Sequence, residues 1–576
     1  MTRQEYLSLK ETYEREGKDL ALRIADVIGG RLWINRSTIT AAAYVLFMAG
    51  IEKVDETDIE SFCKSIDRDE DRKAFLESTI GDSWPMVIGQ RYRYSSDVLK
   101  SIIIFSDFVD EHLDDFSKTP ESVAKLACAL FGFEDGATVA DFGVGTGNFL
   151  AEAHLLNPTL HFYGVDLNAS IKEITSIKCE ILGCTAQIEH DNIFDLDTET
   201  HQFKYVFSNY PFGLRPRDWG AEWNKLIKRT VQKTPAFSRS ISSDWMFNAA
   251  IVDCIEPNGK GIVIMSNGSS WNNLEKNIRQ YFIENGFVEA VITLPERLFE
   301  RAGLSTTMIV FSRNNKEVML VDATNMCDKG RRYTTFSDEQ ISDIVYATNN
   351  ETDHSKRIDI KELAENDYVI SATRYLTENI VIEDGVPFEQ IIKSIKRGST
   401  LSAHEVDALF TTEPTDYQYL KIGNIQFGMI DSDLSYLKEI PENQLRYCIK
   451  NHSLIIAKNG MTFKIAVAEV EPGKTILASG NLYVIEIDES KADPYFVKAY
   501  LESEQGSAIL KVISVGDVTR NISIDSIRRI SIPNMPLNEQ HDFSTKYQAK
   551  MDEVSLLKRK FEKTVEELNH FFDNRG

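Results

Sequence analysis

The sequence predicts a multidomain α/β protein: a helical N-terminal domain, a doubly wound α/β domain on a mainly parallel sheet, and an α+β domain ending in a long helix. Three observations carry this. Residues 1 to about 115 place apolar side chains at helical spacing with few turn residues. From about 120 to 315, short apolar runs alternate with amphipathic stretches, the pattern of a parallel sheet with crossover helices. From 390 to 535, β-rich runs are broken by Gly, Asn and Pro, and a charged stretch with one apolar stripe follows.

At 576 residues the chain exceeds what one hydrophobic core supports, so several domains are expected. The boundaries read as 1–115 helical, 116–320 α/β, 321–390 a polar connecting region, 391–536 α+β, and 537–576 a C-terminal helix. In the first, Ile39–Ile51 is an almost uncharged run, too short to span a bilayer and better read as a buried helix. In the second, strands are expected at Thr138–Asp141, Phe162–Asp166, Tyr205–Ser208, Gly261–Met265, Val288–Thr293 and Thr307–Phe311. In the last, Val554, Leu557, Phe561, Val565 and Leu568 recur every three or four residues and suit one buried stripe or a helical pair.

The formal charge of −24 argues against a uniformly basic nucleic-acid binder, though a local basic cleft can face DNA while the remainder is acidic. Met1–Leu20 lacks the apolar stretch of a secretory signal, and no segment reads as a membrane span. The seven cysteines form no CxxC pair, so a reduced, cytoplasmic protein without structural metal is expected.

The most informative segment runs Val139-Ala140-Asp141-Phe142-Gly143-Val144-Gly145-Thr146-Gly147-Asn148. A strand reaches an acid and then a glycine-rich turn before a helix, and glycine lets backbone approach a ligand closely. The next strand ends on a carboxylate, Tyr163-Gly164-Val165-Asp166, where an acid in an open α/β sheet takes ribose hydroxyls. His190-Asp191-Asn192-Ile193-Phe194 follows a third apolar run and is placed to meet a purine ring. Either acid taken alone reads better as a helix cap. In order at successive strand ends, they favour a ligand site.

This order resembles the class I (Rossmann-like) S-adenosylmethionine-dependent methyltransferases, specifically the adenine-amino DNA methyltransferases of the modification-subunit type in type I restriction-modification systems. The resemblance implies S-adenosylmethionine as cofactor, lined by Asp141, Gly143 and Gly145, with Asp166 on its ribose and Asp191, with Asn192, at its adenine. Thr119-Pro120 matches the Thr-Pro element that covers the methionine end in that family. Ser208-Asn209-Tyr210-Pro211-Phe212-Gly213 matches the family's Asn-Pro-Pro-aromatic loop, with tyrosine replacing the first proline. The similarity covers roughly 115 to 315 and includes a late element, Leu294-Pro295-Glu296-Arg297-Leu298-Phe299 with Gly303-Leu304-Ser305-Thr306-Thr307.

The chemistry accounts for the loop. The exocyclic nitrogen of adenine is a poor nucleophile because its lone pair is delocalised into the ring. Two acceptors on its N–H bonds favour a more tetrahedral nitrogen that attacks a sulfonium methyl in line. By position these are the Asn209 side chain and the Tyr210 carbonyl, with Pro211 shaping the turn and Phe212 stacking on an adenine flipped from the duplex. The tyrosine departure removes the rigidity that proline confers. From Leu214 to Ser240, Arg215, Arg217, Lys225, Lys228, Arg229, Lys233 and Arg239 are interleaved with Trp219, Trp223 and Phe237. That stretch reads as a phosphate contact or, equally, as a solvated amphipathic helix.

Tyr419–Ile425, Ser453–Gly460, the segment around Gly506 and Ile527–Pro533 resemble, in order, pieces of type I specificity subunits. They imply a target recognition domain for double-stranded DNA and a terminal helix that packs on another copy or a restriction subunit; Lys458, Lys464 and Arg520 are candidate contacts that read as easily as solvated surface charges. The expected function is site-specific N6-adenine DNA methylation with built-in recognition. The competing readings are methylation of a protein glutamine and a DNA-binding component whose catalytic loop has decayed.

Overall fold

The computed structural model describes residues 1–28, 36–52, 58–106, 118–212, 214, 243–299, 306–331, 333–376, 382, 385–460, 463–514, 520–522 and 524–569. They divide into two units, Met1–Ala372 and Thr373–Gly576, each with its own apolar core.

The first unit begins with helices. A capping box between Thr2 and Glu5 starts α1 (Arg3–Thr12), and α2 (Lys18–Ile28) follows. In α3 (Arg36–Glu52) every residue from Ser37 to Ala49 is buried, so this all-round apolar helix sits at the centre, as its composition predicts. Helices α4 (Glu70–Ile80) and α5 (Ser96–Phe105) follow, with shorter helices at Ile59–Ser65 and Trp84–Ile88. The core of this helical part includes Ile171, Ile174 and Ile177. These belong to a helix of the α/β part, so the two regions share one interior.

The α/β part opens with α6 (Glu121–Phe131), β1 (Thr138–Phe142), α7 (Asn148–Leu156), β2 (His161–Asp166), α8 (Ala169–Leu182), β3 (Ala186–His190) and β4 (Phe203–Ser208). After the segment that follows β4 come α9 (Asp244–Asp253), β5 (Ile255–Ser266), β6 (Val288–Thr293), β7 (Thr306–Phe311), β8 (Glu317–Asp322), α10 (Asp338–Asn349) and β9 (Ser355–Asp359). Among the described residues nine strands form one sheet, in the order β9-β8-β6-β7-β5-β4-β1-β2-β3. Strands β1 to β5 are parallel where they pair, β7 runs antiparallel between β5 and β6, and β9 is antiparallel at the edge. All six strands read from the sequence lie within strands of this sheet.

Residues 321–390, expected as a connection, depart from that expectation. Strand β9 pairs with β8 along Ser355–Asp359, and α10 lies against α6, so the first unit extends to Ala372. An edge strand carrying Lys356 and Arg357 lacks the apolar alternation of a half-buried strand, because charges on a sheet edge discourage pairing with other chains.

The second unit contains two four-stranded sheets. One orders β10 (Ile392–Arg397), β17 (Leu482–Ile487), β14 (Leu454–Ala457) and β15 (Ile465–Val467). The other orders β11 (Phe410–Thr411), β13 (Ser435–Leu437), β12 (Tyr417–Leu420) and β16 (Thr475–Ala478). Helix α11 (Pro494–Glu502) starts from an Asp493 cap with proline in its first turn. The 33-residue α12 (Leu537–Asn569) docks on it: Ser544 Oγ and His541 meet the Asp493 carboxylate at 2.6 and 2.8 Å, and buried Lys498 donates to Tyr547 at 2.6 Å. Further along, Leu556, Leu557, Phe561 and Leu568 stay exposed. The α+β unit and its long terminal helix agree with the sequence reading, but Val554, Leu557, Phe561, Val565 and Leu568, expected as one buried stripe or a helical pair, are exposed within this chain because the helix docks mainly through its first half. Among the described residues no helix is long and apolar enough to cross a membrane.

Candidate active site

Parallel strands bring their carboxyl ends to one edge of the sheet, and the predicted site residues gather there because β1, β2 and β4 are neighbours. Asp141 pairs in register with Gly164 on one side and Phe207 on the other. Gly143, Gly145 and Gly147 follow β1 with φ of 75°, 49° and 68°, a conformation that side chains disfavour. A Cβ on Gly143 would meet nothing within 4 Å, so the turn faces open space. At Gly147 a Cβ would come within 2.9 Å of the Thr175 methyl, so that glycine is required by packing.

The turn is braced from β2 and α8. The Gly145 amide donates to one oxygen of Asp166 at 3.0 Å, and the Asn168 amide donates to the other at 3.0 Å. Each oxygen retains a lone pair for a ligand hydroxyl. From α8, Thr175 Oγ1 donates to the Gly145 carbonyl, and buried Lys178 donates to the Thr146 carbonyl at 3.1 Å and to Asn148 Oδ1 at 2.7 Å. The sequence reading missed Thr175 and Lys178. A lysine among Ile174, Ile177 and Cys179 on a buried helix was the available sign of them, since such a charge must find partners.

Burial pushes the Asp166 carboxyl above its ordinary range, and the Asn168 and Gly145 amides oppose this. Asp141 is pushed well above it, by burial first and then by the Asp166 charge. Two buried acids at adjacent strand ends suit hydrogen-bond donors better than an anion. Asp191 lies exposed at the end of β3, its amide bonded to the Asp166 carbonyl at 3.1 Å. Its carboxylate accepts from the Asn192 amide at 2.7 Å, and Asn192 Oδ1 accepts from the Phe194 amide at 3.1 Å.

Thr119 joins this cluster to the loop after β4. Its carbonyl accepts from Asn148 Nδ2 at 3.0 Å, and its hydroxyl accepts from Asn209 Nδ2 at 3.1 Å. Pro120 caps α6 directly after it. Ser208 Oγ donates to the Phe142 carbonyl, tying β4 to the start of the glycine turn. Tyr210 is buried, with its hydroxyl 2.7 Å from Asn248 Oδ1. Phe212 is half-buried and meets Phe299 of the late element edge-on, ring centres 5.5 Å apart. The interleaved basic stretch at 215–242 and Gly303-Leu304-Ser305 lie outside the described residues.

In the second unit, two of the sequence pieces meet at one turn. Ser479 donates its amide to the Leu420 carbonyl, Lys458 donates its amide to Asn481 and Arg397 Nε donates to the Gly480 carbonyl. Arg397, Lys421, Tyr419, Ser479 and Asn481 line a cleft of about 620 Å³. Burial and then the Arg397 charge lower the pKa of half-buried Lys458, while Lys464 donates to the Ile422 carbonyl at 3.2 Å.

Residues 115–384 match the model of the N-6 DNA Methylase family. Among curated proteins, the type I restriction enzyme MjaIX methylase subunit of Methanocaldococcus jannaschii is 27% identical over 306 residues, covering 48% of this chain and 54% of that protein. The HindI methylase subunit of Haemophilus influenzae is 24% identical over 302 residues, covering 48% and 67%. The chain thus spans about half the length of the first of these relatives. Among solved structures, the type I restriction-modification methyltransferase subunit of Streptococcus thermophilus aligns with a TM-score of 0.45 at 20% identity, covering 63% of this chain and 85% of that one.

Proposed function

We propose, from the premise that residues 115–384 belong to the N-6 DNA methylase family, that this chain transfers a methyl group from S-adenosylmethionine to the N6 nitrogen of a target adenine in DNA. The observation that carries the reading is Thr119, which holds Asn209 of the target loop and Asn148 of the glycine turn together through one residue. Two reactants that meet in line need their two pockets at fixed separation.

The residues fit the cofactor. The glycine turn offers backbone to open space, and the Asp166 oxygens keep acceptor capacity for ribose hydroxyls. Asp141 borders the turn, and Asp191 with Asn192 stands at the third strand end for the adenine ring. Bound S-adenosylmethionine supplies the electrophilic methyl group.

The chain's own residues do the rest. Asn209 Oδ1 and the Tyr210 carbonyl accept the two N–H bonds of the target amine and hold its lone pair out of the ring plane. Pro211 turns the chain, and Phe212, backed by Phe299, stacks on the flipped base. The second unit is read as the target recognition domain, with the cleft beside Arg397 and Lys421 toward the duplex. The exposed apolar residues of α12 support a pairing with a second copy or a restriction subunit.

The test is methylation of mixed-sequence DNA with labelled cofactor. Label in N6-methyladenine is expected, with Asn209→Ala slowing transfer at least about 100-fold, as for loss of one preorganised polar contact. Cofactor and DNA binding without any transfer would defeat the reading in favour of a decayed DNA-binding component.

A further inference from the structure

Tyr210 stands where its family has a proline, and an ordinary peptide there leaves the loop free to rotate. The structure supplies a different restraint. The Tyr210 ring is 1% exposed, and its hydroxyl donates to Asn248 Oδ1 at 2.7 Å. The ring lies flat on Phe247, with centres 4.5 Å apart and planes 11° from parallel, and Phe247 meets Phe194 at 4.9 Å. Both Phe247 and Asn248 belong to α9. That helix is itself pinned to the end of β5, where the Asp244 carboxylate accepts from the Ser266 amide at 3.0 Å and from the Ser266 and Ser269 hydroxyls. A tie therefore runs from the sheet through α9 to the side chain next to Asn209.

A phenol at this depth is not needed to fill space. Phenylalanine would occupy the same volume without a hydroxyl that has to be satisfied. The hydroxyl and its amide partner add direction, since one hydrogen bond and one stack fix both the tilt and the height of the ring. The same aromatic column reaches Phe194, two residues beyond Asn192 in the segment assigned to the cofactor adenine.

We propose that the Tyr210 side chain is a positioning residue: locked by Asn248 and Phe247, it performs the duty of the missing proline and aims the Tyr210 carbonyl and Asn209 at the target amine. This rests on the methylation reading above. It also goes beyond it, by giving a role to the side chain at which the loop departs from its family.

The experiment compares the full-length protein with Tyr210→Phe, Asn248→Ala, the double variant, Tyr210→Ala and Tyr210→Pro. Single-turnover transfer at saturating DNA, cofactor Kd and melting temperature are measured for each. Tyr210→Phe and Asn248→Ala should each slow transfer about fivefold, the range of one net hydrogen bond, with cofactor Kd unchanged within about twofold. The double variant should be no slower than the worse single variant, because both remove the same tie. Tyr210→Pro should transfer faster than Tyr210→Ala even if both melt earlier, which a merely structural role does not predict. Rates equal to wild type in both single variants, multiplying losses in the double variant, or no gain of proline over alanine would each overturn the proposal. A wild-type protein that methylates no adenine overturns the functional reading instead. In that case amide exchange at Asn209, Tyr210 and Phe212 still decides the tie: faster exchange in Tyr210→Phe upholds it, and unchanged exchange ends it.

Discussion

Asp166 holds the two amides that shape the glycine turn, and on the proposed reading it also accepts ribose hydroxyls. Only the ionised carboxylate offers all its lone pairs as acceptors. Because burial raises its pKa, protonation begins above the ordinary carboxylate range as pH falls. Cofactor Kd should therefore rise on mild acidification, and Asp166→Asn should bind weakly with a flat pH profile. Titration calorimetry across the acid limb checks this, and parallel profiles for the two proteins would refute it. For folding the sign is opposite: a raised carboxyl contributes stability that is complete below its unfolded pKa and is lost as pH rises through the folded one. Gly147 makes a second case at this scale. Its φ of 68° and the 2.9 Å approach of Thr175 predict that Gly147→Ala destabilises the first unit by about 1–3 kcal/mol, read from a denaturant midpoint.

Helix α8 has two occupied faces. Thr175 and Lys178 hold the glycine turn, while Glu173 and Glu180 receive Arg72 and Arg68 from the helical part, the buried Arg72–Glu173 pair at 2.7 Å. Removing one partner leaves a buried charge uncompensated, so Arg72→Ala should lower stability by about 3–5 kcal/mol in urea unfolding. A change below about 1 kcal/mol would mean that water replaces the pair. At this scale the limits of the sequence are also clear. The strands β1, β2, β4 and β6 were legible because a buried parallel strand is a short apolar run between turns. The glycine turn and the acids at strand ends were legible because few residue types fit those positions. Thr175, Lys178 and Asn248 were not, since their roles depend on which helix lies over which loop, and no local pattern encodes that. Edge strand β9 was hidden for the reason that protects it, its charged side chains.

Across the whole chain, two units with separate cores assign separate tasks under the proposed function. Residues 1–372 contain every residue proposed for cofactor and target base. That fragment should bind S-adenosylmethionine as the full chain does, and should lose site selectivity on DNA. Calorimetry and mapping of methylated positions read the two outcomes. Full selectivity in the fragment would remove the recognition role from the second unit. The charge of −24 fits this division, since DNA need meet only a local basic face.

The order of strands has a further consequence during synthesis. Among the described residues strand β6 pairs only with β7 and β8, and both are made after it. A nascent chain that has emerged to residue 300 therefore carries Val288, Ala290, Val291 and Ile292 with no neighbour, beside a β5 edge still open. Until β7 slots between them, this is the point at which a ribosome-bound chain invites chaperones or aggregates. A pause or truncation there should be more damaging to yield than one placed after β8.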